Sequence, residues 1–149
     1  MEALEFDDLK NHIGEETGVS DWVLIDQDRV NKFAEATGDH QWIHVDVEKA
    51  TELMGGPIAH GYLTLSLIPM LSTGMRPING VTRGINYGCN RVRFTNMVPV
   101  GSKVRMRQTL KSVEEKGGGL LMTNTCTIEI EGQERPACIA ETLSVIYNT

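Results

Sequence analysis

In "AEATGDHQWIHVD", residues Ala34 to Asp46, an aspartate and a histidine stand five positions apart, Asp39 and His44, across a short polar run. A carboxylate and an imidazole that meet on one water can divide acid and base work between them. Imidazole suits the task because its reference pKa of about 6.5 lets it give or take a proton near neutrality. Two blander readings stand beside this one. Asp39 could close a Gly-Asp turn while His44 packs beneath it, or Asp39, His40 and His44 could converge on a metal. The metal reading is the weaker: Gly38 interrupts the helix that would align His40 with His44, and no cysteine is near to complete a shell. A nucleophilic triad is weaker again, because Ser66 and Ser72 fall within a helical run with no strand-to-helix elbow around either.

A second piece follows in "GPIAHG", Gly56 to Gly61. Backbone N–H groups at a helix start lack intrahelical partners and sit at its positive end. A glycine there lets a ligand come close, so the Gly61 N–H could bind a thioester carbonyl oxygen as negative charge develops on it. His60 reads as structural, hydrogen-bonding back to the first half of the chain.

These residues need elements to hold them. "DWVLI" (Asp21 to Ile25) predicts a short strand, and Asp26 can cap a helix over "QDRVNKFAEAT" that Gly38 stops. A second helix begins near Asp46, with Val47, Ala50, Leu53 and Met54 aligned, and ends at Gly55-Gly56. Pro57 sits where a helix start tolerates it, and a helix over Ala59 to Ser72, apolar nearly all round, predicts burial of Leu63, Leu67 and Met70. The second half changes period. "SKVRMRQTLKSV" alternates, with Val104, Met106, Gln108, Leu110 and Ser112 on one face. Leu120 to Glu131, Ala137 to Tyr147 and Arg83 to Thr95 predict further long strands, with turns at Glu114 to Gly119 and in "EGQERP". Wrapping four antiparallel strands around one apolar helix gives a two-layer α+β domain, here one domain over residues 1–149.

Composition sets limits. The longest apolar stretch is broken by His60, Gly61 and Pro69, which makes a poor membrane span. The acidic start "MEALEFDDLK" does not resemble a secretory signal. Three widely spaced cysteines, Cys89, Cys126 and Cys138, fit a reducing, cytoplasmic setting better than a disulfide framework. The net charge of −6 hides a segment, residues 83–111, with seven Lys/Arg and no acid. It is either a basic face that offsets the acidic remainder or a stretch past which a phosphate-bearing ligand runs. A nucleic-acid coat fits poorly, because no aromatic platform is interleaved with the cations.

Together, "FAEATGDHQWIHVD" and "GGPIAHGYLTLSLIPML" resemble the MaoC-like family of acyl-thioester dehydratases and (R)-specific enoyl-CoA hydratases. "NYGCNRVRF" and "PVGSKVRMR" resemble its NodN-like branch, so the likeness spans about Asp21 to Ile146. The resemblance implies a hot-dog fold, a homodimer with a continuous sheet, and a thioester tunnel near the subunit boundary. It implies Asp39 and His44 as the catalytic pair and Gly61 as the N–H for the carbonyl oxygen. It also implies hydration of trans-2-enoyl thioesters to (R)-3-hydroxyacyl thioesters without metal or redox cofactor, coenzyme A entering only as part of the substrate. Arg91 and Arg93 are expected near the coenzyme A phosphates, with Tyr87 and Asn90 at the entrance. The family usually carries Asn-Pro where Gln41-Trp42 stand here, which bears on substrate range. Two rivals share the fold: a thioesterase, disfavoured because no acid lies between Pro57 and Pro69, and an acyl-thioester binding protein with little turnover.

Overall fold

The computed structural model describes residues 1–149. A two-residue strand β1 (Leu4–Glu5) leads through a 3-10 helix (Phe6–His12) to β2 (Glu16–Val19) and β3 (Val23–Leu24). Then come α1 (Gln27–Thr37), α2 (Trp42–Val45), α3 (Val47–Met54), α4 (Gly61–Ser66) and α5 (Ile68–Leu71). After the short β4 (Ile78–Asn79), four long strands complete the chain: β5 (Arg83–Phe94), β6 (Lys103–Lys116), β7 (Gly119–Ile130) and β8 (Cys138–Tyr147). The main sheet is antiparallel in the order β2-β6-β7-β8-β5, with β3 also on β6. Its concave face wraps α4 and α5, the hot-dog arrangement.

The expected capping holds: Asp26 accepts from the Arg29 N–H at 2.9 Å, and Gly38 ends α1 at φ 80°, a conformation costly for a residue with a Cβ. The central helix differs from expectation in three ways. It starts at Gly61, not Ala59, because Pro57 to His60 run extended and are pinned by neighbours, Ala59 N–H on the Val98 carbonyl and Val100 N–H on the Pro57 carbonyl. It breaks at Leu67, where Pro69 has no N–H to give back to the preceding turn. Leu63, Leu67, Ile68 and Leu71 are buried, but Met70 is 39% exposed, since the sheet covers only one side of the helix in a single chain. Of the predicted apolar face of α3, only Ala50 is buried; Val47, Leu53 and Met54 are exposed.

The helix packs on Val104, Met106, Cys126, Ile128, Ile130, Cys138 and Ala140. Each fully buried Leu or Ile contributes about 1.5–3 kcal/mol from removal of apolar surface. Alternation on β6 holds through Leu110 and then slips, because a bulge between Leu110 and Ser112 turns Val113 inward in place of Ser112. β6 runs on to Lys116, which leaves a tight turn at Gly117-Gly118 in place of the longer one expected.

On the outer face of the sheet, Glu129 accepts from Arg105 Nε at 2.8 Å and faces Arg107 Nε at 3.2 Å. Partial burial raises the Glu129 carboxyl, but hydrogen bonds and charge from Arg105 and Arg107 outweigh it and hold it below the usual range. A carboxyl lowered on folding stabilises the folded state above its unfolded pKa of about 4.3 and loses that contribution as pH falls through the folded value. Glu129→Gln is therefore expected to lower the melting temperature by a few degrees at pH 7, a difference that shrinks toward pH 3 in a melting series across pH. Lys111 pairs with Glu141 and Arg107 reaches Glu16. Three of the seven cations of residues 83–111 thus neutralise acids across the sheet, as a charge-offsetting face would.

Candidate active site

His44 lies on α2, a single turn, and not in an irregular segment as the sequence predicts. Two contacts fix that turn. The Gln27 side-chain amide of α1 donates to the His44 carbonyl at 2.8 Å, and the Ile58 N–H donates to the Ile43 carbonyl at 3.0 Å. Trp42 occupies the first helical position, where proline would also fit, and takes Lys49 over its ring at 4.7 Å. Gln41 is exposed.

The His44 ring is buried, with Nδ1 at 2.7 Å from the Ile58 carbonyl oxygen. A carbonyl only accepts, so Nδ1 carries the proton in the neutral ring and Nε2 presents a lone pair. His60 is fixed in the opposite sense: its Nε2 donates to the Asp39 carbonyl at 3.0 Å, which leaves Nδ1 buried without a partner. This is the bridge to the first half that the sequence predicts. It anchors the backbone of Asp39, whose Oδ1 accepts from the Gln41 N–H at 3.3 Å. A carboxylate oxygen of Asp39 and a ring nitrogen each of His44 and His60 lie within 4.8 Å of one another. The two imidazoles stack at 3.8 Å with 24° between planes. Lone pairs lie in the ring planes, so two stacked rings present theirs from separate, near-parallel layers, a poor start for metal ligation. His40 stands apart, exposed and 3.8 Å from Glu35, so the set Asp39, His40 and His44 does not assemble.

His44 and Gly61 line one cleft of about 460 Å³, with Ile43, Thr64, Phe94 and Arg135 among its walls. Gly61 is the first residue of α4, and a Cβ there would meet the Phe94 ring at 3.1–3.3 Å. A side chain fits there only if the Phe94 ring gives by a few tenths of an ångström. The arrangement offers a base nitrogen and a carboxylate beside a helix-start N–H, which suits general acid/base work on a carbonyl-activated carbon.

Tyr87, Asn90, Arg91 and Arg93 do not line that cleft. Tyr87 and Asn90 are the extra residues of two bulges in β5, between Asn86 and Gly88 and between Cys89 and Arg91. Arg91 and Arg93 pair with Glu141 and Ile139 of β8 on the face away from the helix. Arg135 was missed because "EGQERP" carries only turn signals; its proximity to the cleft follows from the Thr95 N–H bond to the Ala137 carbonyl, which folds that loop against the end of β5. Phe94 was equally hidden, since it packs on Gly61 from 33 residues away in sequence.

A hot-dog sheet around a broken helix, with Asp, His and a helix-start glycine gathered at one end, defines an acyl-thioester hydratase or dehydratase type of protein. The model for the MaoC like domain matches residues 8–130, and the chain belongs to the MaoC-like dehydratase family. It is 51% identical over 138 residues to 3-hydroxyacyl-thioester dehydratase Z of Mycobacterium tuberculosis, covering 91% of each chain. It is 43% identical to Nodulation protein N of Rhizobium leguminosarum bv. viciae, covering 98% of this chain and 93% of that one. An (R)-hydratase from A. caviae involved in PHA biosynthesis superposes with a TM-score of 0.72 at 24% identity, over 89% of this chain and 94% of that one.

Proposed function

We propose that this chain, acting as one hot-dog domain, is a hydro-lyase that reversibly hydrates trans-2-enoyl thioesters of coenzyme A to (R)-3-hydroxyacyl thioesters. The observation that carries the reading is the His44 ring, held by the Ile58 carbonyl, with a ring nitrogen within 4.8 Å of an Asp39 carboxylate oxygen and with Gly61 lining the same cleft. The Gly61 N–H polarises the thioester carbonyl. Asp39 and His44 hold one water; one of them takes its proton as the oxygen bonds to C3. The C2–C3 π pair moves into an enolate on the thioester oxygen, and a proton delivered to C2 restores the carbonyl. The carbonyl serves as electron sink, so the reaction as drawn asks for no metal or redox cofactor. Loss of enoyl absorbance with the thioester intact is the expected result. Release of free thiol would mean hydrolysis, and saturable binding without exchange of solvent oxygen into the acyl chain would mean a binding protein.

Arg135 is the cation that lines the cleft, and we assign it the coenzyme A phosphates; Arg91 and Arg93 do not line it. Arg135→Glu is expected to raise KM for a coenzyme A substrate about 10–100-fold, the range of one lost charge-assisted hydrogen bond. A short pantetheine thioester should be little affected. Equal effects on both substrates would remove Arg135 from phosphate binding, and a larger effect of Arg91→Glu or Arg93→Glu would favour the older expectation.

A homodimer fits the free edge of β5, whose residues are exposed except Val92, and the exposed Tyr62, Met70, Ile85 and Tyr87. Unpaired edges of this length call for a cover. Sedimentation at micromolar concentration is expected to give twice the chain mass, and a monomer would count against it. No helix is long and apolar enough to cross a membrane. The odd number and wide spacing of Cys89, Cys126 and Cys138 support a reducing, cytoplasmic setting, and burial pushes the Cys126 and Cys138 thiols up to about 11.

A further inference from the structure

Beyond the catalytic cleft lies a larger cavity of about 720 Å³, roofed by Leu65, Ile68 and Pro69 of the broken helix and floored by the sheet. Thr64 lines the cleft and Ile68 lines this cavity. These two residues are four apart in sequence, one on each side of the break at Leu67, so the cleft and the cavity adjoin along the central helix. An acyl chain leaving the reacting carbons along the helix would arrive here.

The floor is not what a plain hydrocarbon tail needs. Paired positions across the strands set Asn124 between Leu110 and Thr142, with Cys89 beyond Thr142. Asn124 is 5% exposed, lines the cavity, and its Oδ1 is buried without a hydrogen-bond partner. Two neighbouring polar side chains have contacts of their own. Gln108 donates to Thr17 Oγ1 at 3.0 Å, and Thr142 Oγ1 lies 3.7 Å from Cys126 Sγ. Asparagine is disfavoured inside strands, and a buried carboxamide oxygen left without a partner is costly. Rotation of the carboxamide exchanges its oxygen and nitrogen, so it can offer the cavity either an acceptor or a donor. A hydroxyl group answers both.

Resting on the hydratase reading, we propose that this cavity selects acyl chains carrying a hydroxyl or keto oxygen distal to the thioester, and that Asn124 is the specificity-determining residue that pairs with it. The class of reaction supplying such a substrate is therefore one that oxygenates the chain or elongates an oxygenated starter.

The test compares trans-2-decenoyl-CoA with its 6-, 8- and 10-hydroxy derivatives, on wild type and Asn124→Leu. At least one hydroxylated chain is expected to exceed the plain chain about tenfold in kcat/KM through KM, one hydrogen bond's worth. Asn124→Leu should abolish or reverse that ratio. A wild-type enzyme with no preference for any hydroxylated chain overturns the proposal, as does a ratio that Asn124→Leu leaves in place. If Asn124→Leu does not fold, Asn124→Ala removes the carboxamide without adding bulk, and an unmoved ratio there counts against the proposal too. Hydration of trans-2-butenoyl-CoA by wild type separates the two readings. With that activity present, failure of the ratio sinks only the cavity proposal. With it absent, the hydratase reading falls, and calorimetric binding of the plain and hydroxylated chains still decides the cavity.

Discussion

Asp39→Asn and His44→Gln are each expected to cut turnover of a trans-2-enoyl-CoA by about 10²–10⁴ while the protein stays folded. Asparagine keeps the volume of aspartate and can still accept from the Gln41 N–H, which Asp39 does at 3.3 Å, but it cannot take a proton at neutral pH. Glutamine at position 44 keeps a polar group near the Ile58 carbonyl, 2.7 Å from the native ring nitrogen, and loses the titrating Nε2. The double variant should lose less than the product of the two single losses, because groups acting on one water are not independent. Hydration rate, substrate binding and melting are to be read on the same samples. Inactive variants that also melt far lower would return this stretch to a structural turn. Variants that fold, bind and turn over near wild type would remove the pair as catalysts.

Gly61→Ala is expected to lower turnover about 10²-fold or more, the usual loss when an oxyanion donor is displaced, with little change in melting temperature. The added methyl would stand 3.1–3.3 Å from the Phe94 ring, closer than ordinary contact, so either the ring or the first turn of α4 must shift. Phe94 is held edge-on by Tyr62 at 5.9 Å, which limits its retreat. Activity loss without destabilisation is the signature sought. A Gly61→Ala enzyme with wild-type kcat and melting would show that this N–H does not serve the reacting carbonyl.

The sequence makes legible what local chemistry controls. Asp26 and Gly38 bound α1 as their capping preferences require, and the two-residue alternation from Val104 to Leu110 marks the buried face of β6. His44 and Gly61 share a cleft because one helical turn and one helix start carry them, and the short loop after α1 keeps Asp39 close to His44. What was hidden depends on distant partners. Met70 reads as core because the helix is apolar all round, yet nothing in its own residues tells which side the sheet will leave open. The phase slip at the Leu110–Ser112 bulge is marked in the sequence only by Val113, an apolar residue out of step with Val104, Met106 and Leu110, too little by itself to place a bulge. The opening segment, with its 3-10 helix and the parallel pair β1–β4, closes a second small core of Leu4, Leu9, Leu110, Val113 and Ile146 that no periodicity in the first 20 residues foretells.

The placement of β5 has a consequence for how the chain is born. Its partner within the sheet is β8, which begins only at Cys138, after Thr95 to Ala137 have been made. At about 5–20 residues per second, β5 waits for several seconds at the ribosome with both edges open. A twelve-residue strand left in that state is a template for pairing with the wrong chain. Arg83, Arg91 and Arg93 and two bulges lie on it, and charge and irregularity are the features that keep such an edge from recruiting neighbours. Neutralising those arginines should therefore be felt first as a loss of soluble yield during synthesis, before any effect on the finished fold.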